Sequence, residues 1–251
     1  MKDKIVWVTG AGSGIGRAVA VAFGREGAKV ALTGRTVSAL EETAAMLPAG
    51  HALVAPADVT DADRIAAAHG AIVAAWGEID VLVNNAGFNL PKRHWRELSP
   101  EGAGQIIDAN LRGPVICSLA VLPAMRRKGQ GLLIHIASFA GQQISLVSGP
   151  IYTAAKHGAV AMSATLNAEE GIHGIRSVCI SPGEVDTPIL AKRPVRLSPD
   201  DLAKVLKPED VADCAIFAAR MHPRACPMEI VLVPTDNNTY RRGAQAIAAR
   251  P

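Results

Sequence analysis

Short apolar runs alternate with longer stretches of helical period along the whole chain. The runs 4–10 (KIVWVTG), 29–34 (KVALTG), 51–59 (HALVAPADV), 79–87 (IDVLVNNAG), 131–138 (GLLIHIAS), 175–183 (IRSVCISPG) and 229–235 (EIVLVPT) are nearly continuous in hydrophobicity and end at Gly, Asn, Ser or Pro. That is the pattern of parallel strands buried on both faces. Between them, 15–25, 37–46, 61–75, 100–127, 152–170 and 208–220 carry apolar residues at helical spacing. TDADRI (60–65) and KPEDVA (207–212) place acids where a first helical turn favours them. Strand–helix alternation repeated six times predicts an α/β fold: one doubly wound, seven-stranded parallel sheet of Rossmann type, flanked by helices on both faces.

Composition narrows the picture. The chain has 251 residues, 49% hydrophobic and 20% charged, enough to bury a large core as one domain spanning 1–251. A formal charge of +3, with no dense Lys/Arg block among aromatics, gives no reason to expect nucleic acid. Cys117, Cys179, Cys214 and Cys226 show neither CxxC spacing nor paired histidines, so no metal site is expected. The first ten residues lack signal-peptide order and no apolar stretch runs to about 18 uninterrupted residues. A cytoplasmic protein is expected. The segment 188–207, with prolines and basic residues, reads as a substrate lid, and 236–251 as a polar tail.

Candidate chemistry begins at VTGAGSGIGRAVA, where glycines at 10, 12, 14 and 16 follow the first strand and open the first helix. Glycine permits a sharp turn and close approach of a phosphate to N–H groups at a helix N-terminus. Gly10-x-x-x-Gly14-x-Gly16 is not GxGxxG. It resembles the phosphate loop of the short-chain dehydrogenase/reductase family, and further landmarks follow in order over about residues 4 to 217. They are ADV at 57–59, NNAG at 84–87, ANLRG around Asn110, IHIASFAG with Ser138, IYTAAK with Tyr152 and Lys156, and SPGEVDTP at 181–188.

The resemblance implies a hydride transfer between a nicotinamide cofactor and a carbonyl or alcohol substrate. Tyr152 would be the acid/base. Lys156 would lower its pKa and grip the ribose, Ser138 would orient the carbonyl, and Asn110 would hold a relay water. The cofactor would be held by Gly10, Gly12, Ser13, Gly14, Ile15 and Gly16, and then by Asp58, Val59, Asn84, Ala86, Gly87, Pro182, Gly183, Val185 and Thr187. Tyr152 and Lys156 lie four apart, on one helix face. Taken singly, each of these residues has an ordinary reading as packing, cap or solvated side chain; the case is joint.

The second strand bears on which dinucleotide is used. No carboxylate lies between Ala31 and Leu40, and Arg35 stands just beyond the strand. A guanidinium suits a 2′-phosphate, so NADP(H) is expected, with NAD possible if Arg35 is only a solvated loop residue. Apolar residues on more than one face of 104–127 and 152–170, together with the resemblance, imply a homodimer or homotetramer. Arg193 and Arg196 read more readily as a solvated lid face than as an attractor of acidic substrates. Trp95 reads as packing with Leu98, and His94 and Trp95 follow the fourth strand's loop near the site. Two departures from the family pattern stand out. Fourteen positions separate Ser138 from Tyr152, against thirteen in many members, which predicts a bulge in the loop between them. The ending RACPMEIVLVPTDNN also lacks the usual Asp-Gly-Gly run. The alternative function is a dinucleotide sensor that keeps the fold without catalysis. An epimerase or dehydratase would need a longer C-terminal substrate domain.

Overall fold

A computed structural model describes residues 1–190 and 197–237. The seven expected strands are β1 (Ile5–Thr9), β2 (Lys29–Thr33), β3 (Ala52–Val54), β4 (Val81–Asn84), β5 (Gly131–Ile136), β6 (Ile175–Pro182) and β7 (Glu229–Leu232). All neighbouring pairs are parallel, in the order β3-β2-β1-β4-β5-β6-β7. Alternation along a strand separates two cores. Val6 and Val8 pack under helices α1 (Gly14–Arg25), α2 (Val37–Ala44) and, later in the chain, α8 (Pro208–Arg220). Ile5 and Trp7 face α3 (Ala62–Trp76) and α5 (Gly113–Lys128). A fully buried side chain such as Phe23 or Leu40 contributes about 1.5–3 kcal/mol. Trp7 remains polar-satisfied because its indole N–H donates to Thr33 Oγ1 at 2.8 Å.

Asp61 caps α3 by accepting from the N–H groups of Asp63 and Arg64. Asp210 accepts from Lys207 N at 2.7 Å at the start of α8. The helix expected over 100–127 is interrupted. Helix α4 (Pro100–Ile107) and α5 are joined by one wide π turn, Asp108–Arg112. Its cause is Asn110, whose Nδ2 donates to Ile106 O (2.9 Å) and Phe88 O (2.8 Å) and so competes with the backbone ladder. An 18-residue window within Pro100–Lys128 is apolar enough for a membrane span by length and composition alone. Half of it is buried, with Cys117, Val121, Leu122 and Met125 packed in the core, which is the pattern of a core helix. Helix α6 (Pro150–Glu170) follows β5 after two short 3₁₀ turns, and a single helical turn, α7 (Pro199–Leu202), lies in the segment read as a lid.

The strand order reverses between β1 and β4, so the chain leaves their C-terminal ends toward opposite halves of the sheet. That switch point is where a ligand site belongs in this architecture.

Candidate active site

A cleft of about 1720 Å³ opens along the ends of β1, β4, β5 and β6. Its floor at one end is the turn after β1. Thr9 Oγ1 donates to Val83 O and accepts from the N–H groups of Asn85 and Ala86, at 3.1 Å each. Asn85 Nδ2 returns to Thr9 O (3.0 Å) and Gly10 O (3.2 Å). These bonds lock the turns after β1 and β4 together. Gly10 has φ +65°, a conformation that disfavours any side chain. A Cβ on Gly16 would stand 2.2 Å from Gly10 O, so helix and turn touch only because position 16 is bare. Gly16→Ala is expected to cost several kcal/mol of stability, a size typical of overpacking and backbone strain, read as a lowered denaturant midpoint. Gly10, Gly12, Ser13, Gly14 and Ile15 line the cleft; Gly16 does not, and its part is packing. No acid lies in the first turn of α1 and no side chain caps it, which leaves its positive end unopposed. Arg17 braces this loop, its guanidinium donating to Gly12 O at 2.6 Å and to Thr43 Oγ1 at 3.0 Å.

Gly34, Arg35, Thr36, Asp58 and Val59 line the far end. The Arg35 side chain is 71% exposed and lies 3.9 Å from Asp58, a loose pair worth at most about 1 kcal/mol. Asp58 also accepts from Thr60 N and Oγ1, which fixes its turn.

At the other end β5 delivers Ser138, α6 delivers Tyr152 and Lys156, and the π turn delivers Asn110, all lining the cleft. Ser138 Oγ accepts from Ala140 N at 3.1 Å and lies close enough to the Tyr152 hydroxyl to favour the phenolate. Lys156 is 5% exposed; its Nζ donates to Ile136 O at 2.9 Å and lies 5.5 Å from the centre of the Tyr152 ring. A Cβ on Gly87 would stand 2.5 Å from Asn110 Oδ1 and 3.7 Å from Lys156 Nζ, so these two polar atoms flank one point. Burial pushes the Tyr152 phenol up to about 12, against the pull of the Ser138 hydrogen bond and of the Arg93 charge. Burial likewise holds Lys156 down to about 8, with Cys179 acting in the opposite sense. The expectation that Lys156 draws the phenol toward neutral pH is therefore not met in the chain itself. Desolvation outweighs the pull of the neighbours, and the phenol stays protonated.

Thr187 reaches across from the segment after β6, its Cγ2 lying 3.1 Å from where a Gly14 Cβ would be. Pro182, Gly183 and Val185 continue that wall.

The family profile described as short chain dehydrogenase matches residues 4–196. The chain belongs to the short-chain dehydrogenase/reductase family. An uncharacterised oxidoreductase of Staphylococcus aureus (strain N315) is 34% identical over 234 residues, covering 93% of this chain and 98% of that one. Among solved structures, a serine dehydrogenase in its closed form, complexed with NADP+, is 30% identical with a TM-score of 0.84, covering 93% of this chain and 96% of that one. An alcohol dehydrogenase from the archaeon Thermococcus sibiricus, complexed with 5-hydroxy-NADP, is 28% identical with a TM-score of 0.82, covering 92% and 97%.

This dehydrogenase/reductase departs from the sequence reading at several residues. Asn84 does not line the cleft. It is the last residue of β4, and its Nδ2 meets Ser118 and His135. Asn85 occupies the cleft instead, and its value lay in the motif itself, as the second of two adjacent asparagines. The loop before Tyr152, where a bulge is expected, carries the 3₁₀ turn Leu146–Ser148 and Gly149 at φ +76°. Trp95 is 77% exposed and does not pack with the core. His94 Nε2 pairs with Leu146 O at 2.9 Å, clasping the two loops beside the cleft. Sequence reasoning missed Arg93, which is 4% exposed, lines the cleft and donates from Nε to Leu90 O. Arg193 and Arg196 lie outside the described residues, as does most of the tail at 236–251. The base of the segment read as a lid is tied to the end of β6 by Asp186 N–Leu206 O and Leu206 N–Glu184 O. Asp186 pairs with Lys207 at 2.8 Å, a structural role. Among the described residues no group of His, Cys, Asp and Glu could hold a metal.

Proposed function

We propose that this chain is an NADP(H)-dependent carbonyl reductase or alcohol dehydrogenase, working as one domain with Tyr152 as acid/base. The observation that carries the reading is the convergence of Ser138, Tyr152 and buried Lys156 at the inner end of the cleft, with the Lys156 ammonium 5.5 Å from the centre of the tyrosine ring. The serine and alcohol dehydrogenases named above, both complexed with NADP species, support the same chemistry here. The cleft fits a dinucleotide. The glycine turn leaves room for a phosphate at a helix end without acids, Arg35 and Thr36 offer donors at the adenosine end, and Ala86, Gly87 and Thr187 leave a narrow channel between them.

When bound, the nicotinamide supplies or accepts the hydride; this chain's residues position and protonate. Ser138 and Tyr152 together hold one carbonyl oxygen and fix its orientation. Tyr152, kept protonated by burial, gives its proton to that oxygen during reduction. The Lys156 ammonium stabilises the phenolate that remains and grips the ribose hydroxyls. Asn110 holds the water through which Lys156 exchanges protons with solvent. The substrate end combines apolar side chains, including Leu90, Pro91 and Ile189, with polar ones such as Asn89, Arg93 and Gln143, which suits a carbonyl on a body that also carries polar groups.

Arg35→Asp is expected to lower kcat/KM with NADPH by roughly ten- to a hundredfold, the worth of a charge-assisted hydrogen bond, and to raise it with NADH. Equal efficiency of the two cofactors in the wild type would remove the NADP(H) assignment. We also propose a cytoplasmic homodimer or homotetramer built through α4 to α6, where Ile107, Val115 and Leu119 present apolar surface. Light scattering should show an assembly that Leu119→Glu weakens; a monomeric wild type would refute it. The alternative, a sensor that binds the dinucleotide without turnover, has against it the retention of both Tyr152 and Lys156.

A further inference from the structure

Behind the reacting groups lies a second polar cluster that the proposed mechanism does not use. Asn84 on β4 and His135 on β5 are cross-strand neighbours, 3% and 2% exposed. Asn84 Nδ2 lies 3.1 Å from Ser118 Oγ, 3.4 Å from Pro114 O and 3.3 Å from His135 Nδ1. An amide nitrogen only donates, so Nδ1 of His135 accepts and its Nε2 carries the proton. That Nε2 has no protein partner, nor has Asn84 Oδ1, and Asn110 Oδ1 on the neighbouring π turn also lacks one. Three unpartnered polar atoms in a protein interior are costly, and ordered water bonded to two or more of the surrounding groups is the usual remedy.

We propose that Asn84 and His135 enclose ordered water within reach of the Lys156 ammonium, and that His135 is a positioning residue that keeps this compartment polar and uncharged. It extends the relay assigned above to Lys156 and Asn110 and rests on that reading for its kinetic consequence, though not for the water itself. The groups facing His135 are few. Asn84 comes from β4, Cys179 from β6 in register with it, Ser118 from α5 through Asn84, and Lys156 from α6. Burial holds the Cys179 thiol up to about 11, so Lys156 carries the charge in this group. Burial, and secondarily the Lys156 charge, hold the imidazole down to about 4, which leaves it neutral at working pH. A neutral N–H donor and its water solvate the ammonium without repelling it. Removing them leaves Lys156 more desolvated and lowers its pKa further.

The test has a structural and a kinetic arm. A high-resolution crystal structure of the wild type should show water within hydrogen-bond distance of His135 Nε2, and nitrogen-15 histidine spectra should show the Nε2–H tautomer. A dry compartment or the Nδ1–H tautomer overturns the proposal whether or not any carbonyl is reduced. If turnover is found, His135→Leu should shift the alkaline limb of kcat down by about one pH unit with little change in KM, and His135→Asn should retain the wild-type limb. A His135→Leu profile that superimposes on the wild type overturns the kinetic role. Should that variant fail to fold, the wild-type structure and spectra still decide.

Discussion

Tyr152→Phe removes about 10²–10⁴-fold of carbonyl reduction, the usual contribution of a positioned general acid, while NADPH binding and the melting temperature stay near the wild type. Only one oxygen is lost. Its neighbour, the Ser138 hydroxyl, keeps its bond from Ala140 N and lines the cleft, so no buried group is orphaned. The pH dependence follows from the same site. The phenol, held up to about 12, stays protonated across the working range, so it does not set an alkaline limb for reduction below that pH. Lys156, held down to about 8, does: reduction should fall as pH rises through that value and the ammonium is lost. Steady-state rates across the pH range, with calorimetric titration of NADPH into the variant, check both points. A Tyr152→Phe enzyme within a few-fold of wild type would exclude the tyrosine as proton donor.

Lys156→Met abolishes activity yet raises stability at neutral pH. In the folded chain burial holds the ammonium's pKa at about 8, against 10.5 for the free side chain. Between those values the unfolded chain holds a proton that the folded chain does not, so stability rises with pH through this window. Below about 8 the full penalty of a buried charge is present, about 3 kcal/mol at 1.36 kcal/mol per unit. Methionine has similar length and no charge. It gives up the bond to Ile136 O, worth about 1 kcal/mol, and escapes the larger penalty. The net gain of about 2 kcal/mol corresponds to roughly 4–8 °C in Tm for a chain of this size at pH 7, and above pH 10.5 it becomes a loss of about 1 kcal/mol, the bond to Ile136 O. Thermal melts at neutral and strongly alkaline pH read it directly. Destabilisation at neutral pH would mean that Lys156 is held for packing and not at an energetic cost for function.

Much of the fold was legible because its signal is periodic. Seven apolar runs became seven parallel strands, and alternate residues such as Trp7 and Val8 serve opposite cores. The interruption at Asp108–Arg112 was not legible, because a single side chain, Asn110, displaces the backbone there while the hydrophobic period continues through it. The glycine turn and the Tyr–Lys spacing lie on local elements whose geometry the sequence determines, and they were readable for that reason. The direction of a side chain at a strand end was not, which is why Asn84 was expected in the cleft that Asn85 lines. Ionisation was also beyond the sequence. A cation four residues from a phenol suggests a depressed pKa, but burial of the whole cluster decides the sign. Arg93 became visible only once the loops around Gly149 had folded over it.

The central claim is that Tyr152 protonates a carbonyl oxygen while a reduced nicotinamide gives up its hydride. The most direct measurement uses NADPH deuterated at the transferable position with a panel of simple aldehydes and of aliphatic and aryl ketones, followed by mass spectrometry of the alcohols. The account predicts deuterium on the carbinol carbon of at least one product with wild type, and its formation slowed by about a hundredfold or more with Tyr152→Phe. NADPH binding with no labelled alcohol from any carbonyl would contradict it and favour a sensor.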